Sequence, residues 1–87
     1  MKRITIELPE STHMTYHTVT QEIIKEFDFD PLKYCPRVDG FTNSIIFATT
    51  DGQKAFTFRL PKRLNVSGPT KAGRYRLQYH EHNDKIL

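Results

Sequence analysis

The sequence of 87 residues contains no tryptophan, one cysteine and four glycines. Its longest apolar run, from Ile45 to Ala48, is far shorter than the roughly 18 residues that a membrane-spanning helix needs. The single cysteine, Cys35, excludes an intramolecular disulfide, so we expect a reducing, cytoplasmic environment. The glycines lack the spacing of a loop that cradles phosphates in nucleotide-binding enzymes. They are Gly40, Gly52, Gly68 and Gly73.

Acidic side chains are missing from the segment between Gly52 and His80. The rest of the chain is acidic, because residues 1–51 carry eight Asp or Glu against five Lys or Arg, and residues 81–87 carry two against one. The net charge of +3 therefore conceals a local excess of positive charge. Such a segment creates a potential that attracts phosphates or acidic protein surfaces. Its basic residues are Lys54, Arg59, Lys62, Arg63, Lys71, Arg74 and Arg76.

The first half of the chain carries one strand signal and one helix signal. Residues 3–8 alternate between polar and apolar side chains, which predicts a half-buried strand. A helix is predicted from Thr18, whose hydroxyl would form a capping box with Gln21. Pro31 ends this helix no later than Asp30. Its apolar stripe consists of Tyr16, Val19, Ile23, Ile24 and Phe27.

The most specific local signal is a hairpin around Asp51-Gly52. This dipeptide favours a two-residue type I′ turn because both positions tolerate positive φ. The resulting register places Ile45 opposite Phe58 and Phe47 opposite Phe56, which gathers the apolar side chains on one face. The flanking segments are predicted to be irregular: residues 31–42 as a loop, and the chain after Leu60 as a long basic connection.

The last predicted strand runs from Arg74 to His80, with Tyr75, Leu77 and Tyr79 facing the core. The predicted order is β-α-β-β-β. The expected fold class is α+β, a mainly antiparallel four-stranded sheet with one helix packed on its apolar face. Residues 1–87 are expected to form a single compact domain.

The opposite face of that sheet is expected to be exposed and basic. Arg59, Arg74 and Arg76 would project from it, and the long connection adds further cations. Phosphate contacts dominate nucleic-acid affinity, so this surface is the candidate binding region. The candidate residues, for nucleic acid or for an acidic protein partner, are Arg59, Lys62, Arg63, Lys71, Arg74 and Arg76.

The histidines and the cysteine suggest other chemistry only weakly. His13 and His17 are spaced for one helix face, and His80 and His82 for one strand face, so four converging imidazoles would suit zinc. Nothing in the sequence brings the two pairs together, and we expect no metal and no cofactor. Cys35 has no histidine close in sequence to activate it, so we expect no catalytic residue.

The first ten residues, MKRITIELPE, resemble the opening of ribbon-helix-helix repressors. The resemblance implies a first strand that lies in the DNA major groove as part of a dimer. That family continues with two helices, whereas this sequence predicts one helix followed by strands. No DNA-reading residue is transferred from the resemblance.

Together these features predict a non-enzymatic binding protein that acts without a membrane. The first interpretation is a nucleic-acid-binding accessory protein, which would neutralise DNA or RNA phosphates with the basic surface of residues 59–76. The alternative is a protein–protein regulator or inhibitor that docks on an acidic partner surface. A bacteriophage-encoded host-takeover protein is one setting for that alternative.

Overall fold

A computed structural model describes residues 2–83 of the chain. These residues form seven strands and one helix, and most of the strands are connected by short turns. The elements are β1 (Lys2–Leu8), β2 (Ser11–Met14), α1 (Thr15–Phe27), β3 (Tyr34–Asp39), β4 (Ser44–Thr49), β5 (Lys54–Arg59), β6 (Pro69–Thr70) and β7 (Gly73–Asn83).

The main sheet has five strands in the order β1-β7-β5-β4-β3, and every pairing in it is antiparallel. A second, two-stranded sheet pairs β2 with β6. The predicted α+β class and the mainly antiparallel sheet are confirmed, but the predicted count of four strands is wrong. The strands that the sequence did not indicate are the edge strand β3 and the short strands β2 and β6.

The segment 31–42, which contains β3, was expected to be a loop because it carries Pro31, Pro36 and Gly40 and lacks clear periodicity. Thr50 donates its N–H to the carbonyl of Lys33 at 3.0 Å. This hydrogen bond shows which backbone groups of β3 point toward β4. In an antiparallel pair the backbone N–H and C=O groups of alternate residues point toward the partner strand. Those of Cys35 and Arg37 therefore point toward β4, and the backbone nitrogen of Pro36 points toward the outer edge. A missing N–H costs little there, which is why an edge strand tolerates proline.

The core lies between α1 and one face of the main sheet. The strand alternation is as predicted, since Ile45, Phe47, Phe58 and Leu77 are fully buried. The predicted hairpin register is also confirmed, with Ile45 opposite Phe58 and Phe47 opposite Phe56. Phe56 is only partly buried, and it packs against the edge of the core.

The hairpin turn itself differs from the predicted type I′ turn. Gly52 has positive φ but Asp51 does not, and Gly52 donates its N–H to the carbonyl of Thr49 at 3.0 Å. The Asp51 carboxylate accepts the hydroxyl of Thr49 at 2.7 Å and the N–H of Gln53 at 3.0 Å. Both hydrogen bonds lower the pKa of Asp51, and the one from Gln53 has the larger effect. The side-chain hydrogen bonds thus stabilise a longer loop with the predicted register.

The helix begins at Thr15, so the predicted cap at Thr18 is wrong. Among residues 2–83 no side chain caps the helix. Thr15 and Tyr16 instead donate their N–H groups to the carbonyls of Gly68 and Val66, at 2.8 and 3.0 Å. Because these carbonyls come from a segment some 50 residues away, local sequence gives no sign of this cap. The helix ends at Phe27, within the limit that Pro31 sets, and Asp28 follows it in the left-handed conformation.

Asn43, in the turn between β3 and β4, fastens the segment that follows β5. Its amide NH₂ group donates to the carbonyls of Pro61 at 3.3 Å and Leu64 at 3.1 Å. Its amide oxygen accepts the N–H of Val66 at 3.0 Å. Its φ of 55° lies in the left-handed region, which asparagine adopts more readily than most residues. One side chain therefore holds the segment that brings Leu64 and Val66 into the core.

We expect Asn43→Asp to destabilise the fold by about 2–3 kcal/mol, because a carboxylate would face two carbonyl oxygens it cannot donate to. Urea unfolding measures this loss. The matched control is Asn65→Asp, since the side chain of exposed Asn65 only accepts the N–H of Ser67 at 2.9 Å. That change should stay within about 0.5 kcal/mol. Equal losses for the two variants would contradict the role of Asn43.

Candidate functional site

The face of the main sheet that points away from α1 is not covered by any helix or strand in residues 2–83. We call it the open face. Period-2 alternation places on it the side chains that are out of phase with the core, in all five strands. Five of them are arginines and only Glu7 and Asp39 are acidic. The arginines are Arg3, Arg37, Arg59, Arg74 and Arg76.

The sheet register gathers four basic side chains around Gln78. Arg3 on β1 and Arg59 on β5 are the cross-strand partners of Gln78 on its two sides. Arg76 and His80 lie two residues before and after it on β7, on the same face. Opposite residues in adjacent strands have Cβ atoms about 5 Å apart, and i, i+2 neighbours lie roughly 7 Å apart. We call these five residues the Gln78 cluster.

Three arginines of the Gln78 cluster are free to bind a ligand. Within residues 2–83 the guanidinium groups of Arg3, Arg59 and Arg76 make no hydrogen bond or ion pair, and all three residues are exposed. Arg74 differs because its guanidinium lies 3.5 Å from the carboxylate of its cross-strand partner Glu7. The strongest unneutralised charge on the open face is therefore at the Gln78 cluster.

The structure brings only part of the predicted basic surface together. Arg59, Arg74 and Arg76 share the open face. The guanidinium of Arg63 lies 4.4 Å from the ring centre of Tyr75 and donates to the carbonyl of Arg74 at 2.8 Å, so it packs at the end of the sheet.

Lys62 and Lys71 are both exposed but lie off the strands of the open face. Lys62 lies in the turn after β5, and Lys71 lies beside Glu10 and Ser11 at the small second sheet. Neither lysine belongs to the Gln78 cluster.

Lys54 is the first basic residue of the segment between Gly52 and His80 that lacks acidic side chains. It also lies off the open face. Its ammonium is 2.9 Å from the Glu81 carboxylate and 5.8 Å from the ring centre of Phe56. The hydrogen bond to Glu81 raises the pKa of Lys54, and the negative charge of Glu81 raises it further by a smaller amount. Its positive charge is thus balanced on the helix side of the sheet.

Two residues of the open face were missed by sequence reasoning, Arg3 and Arg37. The alternation of residues 3–8 did place Arg3 on the polar side of its strand. Nothing local indicated that β1 would lie next to β7, which is what brings Arg3 beside Gln78. Arg37 was missed because β3 was expected to be a loop.

The two histidines of each predicted pair lie close together, but the two pairs do not form a metal site with each other. The ring centres of His13 and His17 are 5.5 Å apart, and those of His80 and His82 are 4.2 Å apart. Among the described residues no group of three or more His, Cys, Asp or Glu side chains is arranged to hold a metal ion. Cys35 is a free, exposed thiol on the edge strand β3.

Comparisons of the chain with protein-family models, with curated proteins and with solved structures find no match. The resemblance to ribbon-helix-helix repressors does not extend to the fold. The described residues contain one helix rather than two, and β1 pairs with β7 of the same chain. No helix in residues 2–83 is long and apolar enough to cross a membrane.

Proposed function

We propose that this protein is a non-enzymatic, cytoplasmic accessory protein that binds nucleic acid through phosphate contacts on the open face. The observation that supports it is the Gln78 cluster, in which three arginines without partners in residues 2–83 surround an amide side chain. Arginine suits this task because its planar guanidinium binds phosphate oxygens with two parallel N–H groups. The amide of Gln78 adds a further donor between the arginines.

The extent of the charge favours a polymer over a single small anion. The open face spans five strands, about 19 Å from β1 to β3 at the usual strand spacing. Arg3 and Arg37 stand on its two outermost strands, and Arg59 stands between them. A polynucleotide presents phosphates repeatedly over such a distance, so several arginines would be neutralised at once.

The side chains of the open face favour binding that is independent of base sequence. The face carries no Phe or Tyr among its described residues, because the aromatic strand residues point into the core. Single-strand binders stack bases on such rings, and that contribution would be small here. Phosphate contacts carry no base information, so unrelated sequences should bind with similar affinity.

One observation favours the alternative of a protein–protein regulator or inhibitor, of which a phage-type host-takeover protein is an example. Two large apolar side chains that flank β3 are strongly exposed, Leu32 by 86% and Phe41 by 100%. Exposed apolar residues beside basic ones suit a partner surface that is partly acidic and partly apolar. Leu32 and Phe41 are outside the Gln78 cluster, so the two functions can be separated by mutation.

Salt-dependent binding tests the proposed function. Fluorescence anisotropy of labelled single-stranded and duplex oligonucleotides of unrelated sequence should show binding near 50 mM salt. The logarithm of the association constant should fall linearly with the logarithm of salt concentration, with similar slopes for all sequences. Absence of binding near 50 mM would contradict the nucleic-acid proposal. Capture of a partner that survives nuclease and high salt, and that is lost in Phe41→Ser, would then support the alternative.

A further inference from the structure

A cavity of about 200 Å³ opens on the open face beside the Gln78 cluster. It exists because small side chains lie between long ones. Ser44 is the cross-strand partner of Arg59, and Thr57 is the cross-strand partner of His80. The residues that line it are Thr42, Ser44, Thr57, Arg59, Gln78 and His80.

The floor of the cavity is held in place by hydrogen bonds. Ser44 is only 3% exposed. Its hydroxyl donates to the carbonyl of Thr42 at 3.2 Å and accepts the hydroxyl of Thr42 at 3.1 Å. Both hydroxyl hydrogens are used within the protein, so the floor is preorganised rather than waiting for a partner.

Three of the residues that line the cavity have side-chain donors without partners in residues 2–83. The guanidinium of Arg59, the amide of Gln78 and the imidazole of His80 make no hydrogen bond there. Each offers at least one N–H, whatever the charge state of the imidazole. Within residues 2–83 no carboxylate lines the cavity. A concave site with several donors and one permanent positive charge is suited to an oxyanion.

We propose that this cavity binds the terminal phosphate of a nucleic-acid strand, while Arg3 and Arg76 contact the internal phosphates that follow. This inference rests on the proposed function for the source of the phosphate. A terminal phosphomonoester has three free oxygens and one ester bond, so it can enter a cavity that closes on one side. An internal phosphodiester has only two free oxygens and continues in both directions. The convex, exposed arginines are the better partners for it.

The first test compares oligonucleotides of one sequence with a 5′-phosphate, with a 3′-phosphate and with neither. We expect at least one phosphorylated end to bind roughly tenfold more tightly, the effect of one good charge-assisted hydrogen bond. Equal, salt-dependent binding of all three would overturn the cavity as a phosphate site and leave the proposed function intact.

The second test fills the cavity without changing its charge. Thr57→Ile should remove the preference for a phosphorylated end and preserve the salt dependence measured with the unphosphorylated strand. The matched control is Ala48→Val, which adds volume on the same face outside the cavity and should preserve both. If Thr57→Ile does not fold, Thr42→Leu fills the cavity from an exposed position on its rim and should give the same result. A preference that survives in the folded variant would overturn the proposal.

Inorganic phosphate distinguishes the source of the phosphate. Added to the protein alone, it should shift the backbone amide signals of Thr57 and Gln78 in a heteronuclear NMR spectrum and leave those of Ala48 unchanged. It should also compete with the phosphorylated strand and not with the unphosphorylated one. Shifts with inorganic phosphate in a protein that binds no oligonucleotide would overturn both the terminal-phosphate assignment and the proposed function.

Discussion

Phe58→Ala is expected to be largely unfolded at 37 °C. Phe58 lies on the central strand of the main sheet and is fully buried. Its ring centre lies 5.2 Å from those of Phe27 and Tyr79 and 5.7 Å from that of Phe47. Truncating a buried phenylalanine costs about 3–5 kcal/mol, through lost burial and the cavity left behind. A domain of this size has on the order of 5 kcal/mol to lose.

Thermal and urea unfolding followed by far-ultraviolet circular dichroism measure this effect. Phe56→Ala is the matched control, because it removes the same ring two residues away on the same strand and face. Phe56 is only partly buried, so its truncation should cost less and leave a cooperative transition. A cooperative melt of Phe58→Ala within a few degrees of the wild type would contradict the position of Phe58 in the core.

The features that the sequence predicted correctly are those that neighbouring residues determine. The hairpin register follows from the turn position and from apolar alternation, because a slip of one residue would put Phe47 and Phe58 on opposite faces of the sheet. The turn chemistry was less predictable. Asp-Gly is compatible with several loop types. In the loop that forms, the Thr49 hydroxyl donates a hydrogen bond to the carboxylate of Asp51.

The features that the sequence did not predict depend on distant parts of the chain. The helix begins three residues earlier than expected because carbonyls of Val66 and Gly68 accept its first N–H groups. Residues 31–42 were expected to form a loop, whereas β3 forms there because Pro36 faces the outer edge of the sheet. Neither arrangement leaves a local signal, since both depend on which segments become neighbours in the fold.

The candidate site also combines residues that the local sequence indicated with one that depends on a distant part of the chain. The acid-free segment pointed to Arg59 and Arg76, and strand alternation placed both on one face. The third arginine of the Gln78 cluster, Arg3, comes from the other end of the chain and joins them only because β1 pairs with β7. Charge in sequence therefore indicated the kind of ligand, whereas the sheet order determined which arginines lie together.

Replacing Arg3, Arg59 and Arg76 together by glutamine is expected to abolish most of the nucleic-acid affinity. If each arginine neutralises one phosphate of duplex DNA, the slope of log K against log salt should fall by about three units. Near 100 mM salt this corresponds to a loss on the order of 10²- to 10³-fold in affinity. Glutamine keeps a polar side chain of similar reach, and exposed substitutions rarely change stability by more than about 0.5 kcal/mol.

The control for this variant removes the same charge elsewhere. Lys2, Lys25 and Lys33 are exposed and lie outside the Gln78 cluster, so the triple replacement by glutamine lowers the net charge equally. If binding depended only on net charge, the two triple variants would lose the same affinity. Because the Gln78 cluster places its arginines on one surface, we expect the lysine variant to keep most of the salt slope. Anisotropy titrations at several salt concentrations, with thermal melts to show that both variants fold, make the comparison. Equal losses would remove the Gln78 cluster as the binding site and leave only a diffuse attraction between a basic protein and a polyanion.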